Sequence, residues 1–347
     1  MGEHVITETG DGLGIITLNR PEKINALTHA MVRTLAATLA RWREDPGVHI
    51  VVLRGAGERG FCAGGDIRGF HASITAGRPQ DFLDFLTDEF ALDLAIATYP
   101  KPVVAFMDGL CMGGGVGLAG HAAVRIVTPR SRVGMPETRI GYSPDVGGTH
   151  LLAQAPGRLG EHFGLTAASM GAGDAIHAGF ADFCAAPETL EEILATLPDF
   201  AELSGEELAM GLEILHGTAA PASSFTATAA QGWIDAAYSH GTAAEILAAL
   251  DASPYPGAAE AAAAIRANSP LAVETALRAI RAARAGDDLR AAFEREHRVA
   301  AFLLAHPDLA EGIRAQVIDK DRNPHWSPAS LAELDPATAA AVAAAVG

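Results

Sequence analysis

The sequence is poor in cysteine, in lysine and in positive charge. Its 347 residues include three cysteines, Cys62, Cys111 and Cys184, with no CxxC pair, which argues against a disulfide framework and favours a reducing compartment. The formal net charge of −17 argues against a broad nucleic-acid surface, because such binding depends on clustered Lys and Arg. Any anionic ligand must therefore be held by local basic residues or by backbone amides.

Long apolar runs are also missing. No run reaches the roughly 18 residues expected of a transmembrane helix, so no membrane partner is expected. The first residues, MGEHVITETGDG, contain neither an apolar signal core nor an Arg-rich amphipathic helix, which predicts a cytoplasmic location. About half of the residues are apolar, which indicates a globular chain with one large domain and an appended part.

The first half of the chain shows recurring strand, turn and helix patterns. VITETGDGLGIITLN predicts a hairpin, THAMVRTLAATLARWRED an amphipathic helix capped by Thr28, and HIVVLRG a buried strand. Residues 101–129 repeat this order as strand, Gly-rich loop, small-residue helix and strand. Recurrence of this kind predicts an α/β core, which we place at residues 1–187.

The rest of the chain is predicted to be helical, over residues 188–347. Strands become scarce after Glu188, whereas residues 242–267 and 270–305 form Ala-rich amphipathic patterns, and residues 330–347 predict a marginal helix. Within the core, the polar segment 71–80 predicts a loop, followed by a helix over residues 81–98.

Two glycine-rich segments, GAGERG at 55–60 and GVGLAG at 115–120, match the dinucleotide fingerprint GxGxxG. The first lacks the following amphipathic helix and the later acidic residue, so a Rossmann dehydrogenase is disfavoured. CAGGDI and MGGGVG could instead each present a peptide N–H, and two such donors on one oxygen make an oxyanion hole. Tight turns or close helix packing are the alternative explanation.

The segment GMPETRIGYSPDVGG holds two acids, Glu137 and Asp145, among Gly, Pro and apolar residues. Both could point into one pocket, or each could cap a helix through the free N–H groups of its first turn. Glu89 lies in an amphipathic helix, where it could equally belong to a solvated face.

Four segments, LNRPEKINALTHAMV, GFCAGGDIR, DGLCMGGGVGLAGH and MPETRIGYSPDVGGTHLLAQAPG, resemble the enoyl-CoA hydratase/isomerase (crotonase) superfamily over residues 5–185. The resemblance implies an α/β crotonase (ClpP/crotonase-like) fold of repeated ββα units with a helical C-terminal region. The C-terminal LAEGIRAQVIDKDRNPHWSP resembles the 3-hydroxyisobutyryl-CoA hydrolase branch, which extends the similarity over almost the whole chain.

The resemblance also implies roles for individual residues. Gly65 and Gly114 would supply the oxyanion amides, and Glu137 matches the second of two hydratase glutamates, whereas the first falls at Gly117. Water addition to a C=C bond is therefore disfavoured. In thioester hydrolysis Glu137 would attack the carbonyl or activate water, Asp145 would orient water or a 3-hydroxyl, and Glu89 would hydrogen-bond within the acyl pocket.

Substrate contacts are expected around the same motifs. Arg20, Lys23 and Arg68 are candidates for the coenzyme A phosphates, although they could be ordinary surface charges. The loop with Asp66 and Ile67 is expected to line the adenine and pantetheine path. The acyl pocket is expected to have walls at Phe82, Phe85 and Tyr142.

No metal and no redox cofactor is expected, since coenzyme A is part of the substrate. Glu294, Glu296, His297 and His306 match no ligand spacing such as HExxH, and we interpret them as a solvated helix face. No GxSxG elbow is present, and Cys62 and Cys111 are predicted to pack as small apolar groups.

The resemblance thus implies an acyl-CoA thioester hydrolase acting on 3-hydroxyisobutyryl-CoA in valine breakdown, with 3-hydroxypropionyl-CoA as the second choice. An enoyl-CoA isomerase or hydratase of the same superfamily, or a non-catalytic acyl-CoA-binding protein, are the alternatives. The expected partner is a small-molecule acyl-CoA, without nucleic acid. The resemblance implies a possible homo-oligomer, a trimer or hexamer.

Overall fold

The computed structural model describes residues 3–225, 228–286 and 288–347. Its strands are β1 Val5–Gly10, β2 Leu13–Leu18, β3 Ile50–Gly55, β4 Gly60–Cys62, β5 Val103–Met107, β6 Leu110–Met112, β7 Val124–Val127, β8 Arg132–Gly134, β9 Phe183–Ala185 and β10 Gly217–Thr218. Its α-helices are α1 His29–Arg43, α2 Ile67–Thr75, α3 Gln80–Ala97, α4 Gly114–Gly120, α5 Gly148–Gln154, α6 Leu159–Thr166, α7 Ala172–His177, α8 Leu190–Thr196, α9 Gly205–His216, α10 Thr228–Ala237, α11 Ala243–Asp251, α12 Pro256–Ala267, α13 Pro270–Arg284, α14 Leu289–Leu304, α15 Asp308–Ile313 and α16 Pro336–Val346.

Two compact units divide the chain between them. Unit 1 comprises residues 1–65, 88–133 and 170–223, and unit 2 comprises residues 66–87, 134–169 and 224–347. Each unit includes residues from both sides of the predicted division between residues 187 and 188.

Unit 1 is built on a seven-stranded sheet of order β1-β2-β3-β5-β7-β9-β10. The outer pairs β1/β2 and β9/β10 are antiparallel, and the strands between them are parallel. Its core includes Val52, Val104 and Ile126, together with Ile193 of α8 and Leu208 of α9. The parallel strands β3 and β5 are buried along most of their length, because helices cover such sheets.

The start of unit 1 has the predicted hairpin and capped helix. β1 and β2 pair from Val5–Leu18 to Gly10–Leu13, around a turn in which Asp11 and Gly12 have φ of 52° and 80°. Two successive left-handed residues are typical of a tight hairpin turn. The Thr28 hydroxyl accepts a hydrogen bond from Met31 N (3.3 Å), which caps α1. Both predictions are confirmed.

Unit 2 is organised around α13, which packs against α5, α6 and α16. Most of the α13 side chains are buried, as expected for a central helix. The predicted helices over residues 242–267 and 270–305 are present as α11 to α14. The apolar tail forms α16, where Val342 is buried, so packing stabilises a helix whose sequence alone appeared marginal.

The loop predicted over residues 71–80 is partly wrong. Its first half belongs to the helix α2, and only residues 76–79 connect α2 to α3. The Phe70 ring of α2 packs against Phe82 (4.9 Å between centroids) and Phe85 (4.7 Å). These contacts with α3 favour helix in a segment whose small polar residues suggested a loop.

No helix in the described part of the chain combines the length and the apolar character needed to cross a bilayer.

Candidate active site

In unit 1, two glycine loops pack backbone against backbone. Gly65 follows β4, and Gly114 begins α4 just after β6. A Cβ added to Gly64 would lie 3.5 Å from Gly114 N, and one added to Gly115 would lie 2.6 Å from Cys62 O. The Gly115 position therefore has no room for a side chain, because real Cβ atoms essentially never approach another atom that closely. Glycine is thus required by close packing here.

The peptide N–H groups of Gly65 and Gly114 donate no hydrogen bond to any other described residue. The preceding residues, Gly64 and Gly113, have φ of 95° and 50°, which favours glycine. Buried peptide N–H groups are nearly always paired, so two unused donors in buried or half-buried backbone suit an oxygen ligand.

The Glu89 carboxylate of α3 lies against Gly114. Glu89 is only 2% exposed, and a Cβ on Gly114 would lie 2.4 Å from Glu89 Oε1. The solvated-face interpretation of Glu89 is therefore wrong. Asp93 is buried one helical turn further on. Burial, and to a smaller degree the charges of Glu89 and Asp93, raises the pKa of Cys62 to about 12, which keeps this thiol neutral.

In unit 2, Glu137 begins a 3-10 helix, Glu137–Ile140, directly after Pro136. Its side chain is 6% exposed. Tyr142 N donates to Glu137 O (3.0 Å), and the turn closes at Gly141, which has a φ of 75°. A Cβ on Gly141 would lie 2.3 Å from Asp308 O, so α15 presses against this turn. The helix has no side-chain cap, which argues against capping as the role of Glu137.

Asp145 lies in a second turn of unit 2 and is 7% exposed. Its main-chain carbonyl accepts from Gly148 N (2.6 Å), and Val146 and Gly147 follow with φ of 52° and 73°. The Asp145 side chain does not cap α5, the alternative that the sequence left open.

Glu296 of α14 caps the start of α5 instead. Its Oε2 accepts from Gly147 N (2.7 Å), and its Oε1 accepts from Thr149 N (3.0 Å) and Thr149 Oγ1 (2.5 Å). Glu296 is 1% exposed, so its assignment to a solvated helix face is wrong. Glu294 of the same helix is exposed, as predicted.

The two buried acids influence one another's protonation. Burial raises the pKa of Asp145 well above its usual range, and the nearby charge of Glu296 raises it further, against a smaller opposing effect of the Tyr142 hydroxyl. Burial raises the pKa of Glu296 to about 7, even though the bonds from Thr149 and Gly147 favour its charged form. Burial and the neighbouring charge of Glu296 therefore favour the protonated form of Asp145.

A helical pattern in the sequence could have revealed Glu296. On α14 the buried side chains include Ala292, Phe293, Val299, Ala300 and Leu303, at helical spacing. Residue 296 falls within that stripe, so a carboxylate there must be buried and must find partners.

Two of the predicted acyl-pocket residues form an aromatic contact within unit 2. Phe82 and Tyr142 meet edge to face, with ring centroids 5.6 Å apart. The third predicted residue, Phe85, contacts Phe70 instead. Tyr142 lies between Glu137 and Asp145 in the sequence, so its contact with Phe82 supplies apolar surface beside this motif.

The predicted coenzyme A contacts differ in exposure. Arg20 is 9% exposed and donates through its guanidinium to Ala26 O (2.5 Å), which argues against contact with a phosphate. Lys23 is exposed on the 3-10 helix Pro21–Lys23. In unit 2, the exposed Arg68 donates to Val317 O in the π-helical turn Arg314–Ile318.

Asp66 and Ile67 begin α2 in unit 2. Asp66 occupies the N-cap position without a side-chain cap bond, and Ile67 is the first helical residue. Both are half-buried. No cluster of three or more potential metal ligands occurs among the residues that the structure describes.

The fold and these motifs define a class. The family model "Enoyl-CoA hydratase/isomerase" matches residues 13–343, and the chain belongs to this family. Its α/β architecture, with paired strands followed by helices and a helical C-terminal region, confirms the predicted crotonase fold.

Individual relatives share most of their length with the chain. The "3-hydroxyisobutyryl-CoA hydrolase, mitochondrial" of Gallus gallus is 35% identical and covers 95% of this chain and 86% of its own length. The protein of the same name from Homo sapiens is 34% identical, covering 96% of this chain and 86% of its own.

Solved structures carry other names. A carnitinyl-CoA dehydratase from Mycobacterium thermoresistibile has a TM-score of 0.90 and 41% identity, covering 98% of this chain and 96% of its own. An enoyl-CoA hydratase from Rhodobacter sphaeroides 2.4.1 has the same TM-score and identity, covering 98% and 97%. The relatives thus include enzymes named for thioester hydrolysis and for water addition or removal.

Proposed function

We propose that the chain hydrolyses the thioester of 3-hydroxyisobutyryl-CoA, giving 3-hydroxyisobutyrate and free coenzyme A, as a step of valine breakdown. The observation that carries the proposal is the set of acids: Glu137 and the buried Asp145 are present, whereas position 117 is glycine. Water addition in this superfamily uses two glutamates, of which the first would stand at position 117, and a thioesterase does not need that residue.

The proposed reaction begins at the thioester carbonyl. The N–H groups of Gly65 and Gly114 would bind the oxygen as negative charge develops on it. Glu137 would attack the carbonyl carbon or take a proton from the attacking water. The C–S bond then breaks, the acyl group gains a hydroxyl from water, and the thiolate requires a proton.

Asp145 suits the second half of this reaction. Burial and the charge of Glu296 raise its pKa well above the usual range, which favours the protonated form of this carboxyl. A protonated carboxyl can donate to a thiolate or to a substrate hydroxyl, which an ionised one cannot. Glu89 would hydrogen-bond within the acyl pocket, and the exposed Lys23 and Arg68 would meet the coenzyme A phosphates.

Hydration of an enoyl-CoA is the second candidate, because both 41% identical structures carry names of that chemistry. An isomerase needs chiefly one base, which Glu137 could supply. A binding protein without turnover is the remaining alternative.

The discriminating experiment follows two signals at once, the release of free thiol and the absorbance of a conjugated enoyl thioester. The substrates are 3-hydroxyisobutyryl-CoA, 3-hydroxypropionyl-CoA, isobutyryl-CoA and crotonyl-CoA. Thiol release from the 3-hydroxyacyl thioesters supports the proposal. Loss of crotonyl absorbance without thiol release would establish hydration instead, and affinity without either signal would establish binding alone.

Two variants test the assigned acids, Glu137→Gln and Asp145→Asn. Each should lower thiol release by roughly 100-fold or more, the usual contribution of a positioned acid or base. Glu294→Gln is the matched control, since it neutralises an exposed carboxylate and should keep wild-type turnover. Near wild-type rates for both site variants would overturn the assignment.

A cytoplasmic location and a trimer or hexamer remain predictions. Light scattering of the purified chain tests the oligomeric state.

A further inference from the structure

The turn after Asp145 has an unusual backbone. Val146 and Gly147 are successive residues with φ of 52° and 73°, and valine is β-branched. The left-handed region is rare for β-branched residues, because Cβ crowds the neighbouring backbone. Such a turn persists only where surrounding contacts hold it.

Glu296 supplies three contacts of this kind. Both of its oxygens accept from the segment that follows Asp145, through Gly147 N, Thr149 N and Thr149 Oγ1. Thr149 is itself fully buried, so the three bonds are shielded from water. A residue almost 150 positions away in the sequence thus fixes the turn.

A buried carboxylate is energetically unfavourable if its only role here is to hold the turn by hydrogen bonds. Glu296 and Asp145 repel one another when both are ionised, and burial raises the pKa of each. The other titratable or charged groups that act on this pair are Tyr142, beside Asp145, and Arg295, which precedes Glu296 on α14. Helix N-termini are more often capped by Ser, Thr, Asn or Asp at the N-cap, without a second buried charge.

We propose that Glu296 is a positioning residue for the reaction: it fixes the turn that carries Asp145 and places a negative charge beside the Asp145 carboxyl. This inference rests on the proposed function, in which Asp145 acts in thioester hydrolysis.

The first test is Glu296→Gln in the full-length chain. Glutamine keeps the shape and one acceptor, but its NH2 group would face a donor, either Gly147 N–H or the Thr149 groups. We expect kcat for thiol release to fall roughly 10- to 100-fold, the scale of a small misplacement of a reacting group, with KM changed less than about 3-fold. Activity should decline at high pH as Asp145 loses its proton, and this limb of the pH profile should shift to lower pH in the variant, because a neutral neighbour no longer opposes the ionisation of Asp145.

The second test uses Thr149 and holds even if the glutamine variant fails to fold. Thr149→Val removes the hydroxyl that donates to Glu296 and nearly preserves volume, whereas Thr149→Ser keeps the hydroxyl. The valine variant should lower kcat, and the serine variant should restore at least half of the loss. If Thr149 and Glu296 have only a structural role, the kcat values of the two Thr149 variants should follow their thermal stabilities, and the pH profile should not shift.

Asp145→Asn separates this inference from the proposed function. If that variant keeps wild-type thiol release, the proposed role of Asp145 fails and the inference fails with it. Asp145→Asn could instead lose thiol release while the folded Glu296→Gln keeps the wild-type kcat and pH profile. That result, or wild-type kcat and pH profile in both Thr149→Val and Thr149→Ser, would overturn only the inference. Loss in Asp145→Asn together with a shifted limb in Glu296→Gln, or with hydroxyl-dependent kcat at Thr149, supports both.

Discussion

Gly114 offers the sharpest perturbation of the candidate site. The substitution Gly114→Ala adds one methyl group, whose carbon would lie 2.4 Å from Glu89 Oε1 and 3.3 Å from Leu27 Cδ1. Glu89 is almost completely buried, so its carboxylate has little room to move away. Either Glu89 leaves its position, or the Gly114 backbone moves together with its N–H.

The two responses give measurable magnitudes. Overpacking of a buried position by one methyl group costs about 1–3 kcal/mol in the free energy of unfolding. Loss of one oxyanion donor typically costs about 100- to 1000-fold in kcat. We therefore expect Gly114→Ala to lose about 1–3 kcal/mol of stability and at least about 100-fold in thiol release.

The assay combines urea unfolding with steady-state thiol release. Gly232→Ala is the matched control, because a Cβ there meets no atom within 4 Å, and the exposed position lies inside α10. This control should gain up to about 1 kcal/mol from helix propensity and keep its turnover. In the double variant Gly114→Ala with Glu89→Ala, the stability cost of the added methyl group should be smaller, because the Glu89 carboxylate that it would clash with is absent.

Two results would refute this reasoning. Wild-type turnover in a folded Gly114→Ala would show that the Gly114 N–H does not bind the reacting oxygen. An equal stability cost with and without the Glu89 carboxylate would show that Glu89 does not restrict this position.

The remaining predictions concern stability and reactivity. Burial lowers the pKa of His162 from 6.5 to about 4, so between these pH values the unfolded chain binds a proton that the folded chain does not. The free energy of unfolding should therefore decrease by about 3 kcal/mol as the pH is lowered from 7 to 4. His162→Gln should flatten this dependence in urea titrations over the same pH range. Gly141→Ala should cost about 2–4 kcal/mol in the same titrations, because its φ is 75° and its Cβ would meet Asp308 O, whereas an unchanged midpoint would contradict the observed packing. Cys62, buried with a pKa raised to about 12, should resist alkylation at pH 8 until the chain is unfolded, and rapid labelling of the native protein would contradict its burial.

Local features of the fold could be predicted because their causes are local. The hairpin follows from a Gly-Asp-Gly turn between two apolar runs, and α1 follows from helical spacing after Thr28. The glycines at 64, 114 and 115 could be singled out because close approach of neighbouring atoms requires that residue type. The roles of Glu137 and Asp145 came from resemblance, and they stay proposals here.

Other features depended on partners far along the chain. The segment 71–75 became helical although its own residues suggested a loop, in an α2 whose Phe70 packs on α3. Arg20 could not be distinguished from a surface cation before its guanidinium was seen to bond Ala26 O in the interior.

The sequence by itself determined the alternation of strands and helices, the glycine loops and the pair of acids in one short motif, since each is encoded by neighbouring residues. Only the tertiary structure decided that Glu89 is buried against Gly114 and that Glu296 holds the turn after Asp145. The physical reason is that burial and protonation depend on which groups surround a carboxylate. Those groups come from strands and helices that the chain brings together only on folding.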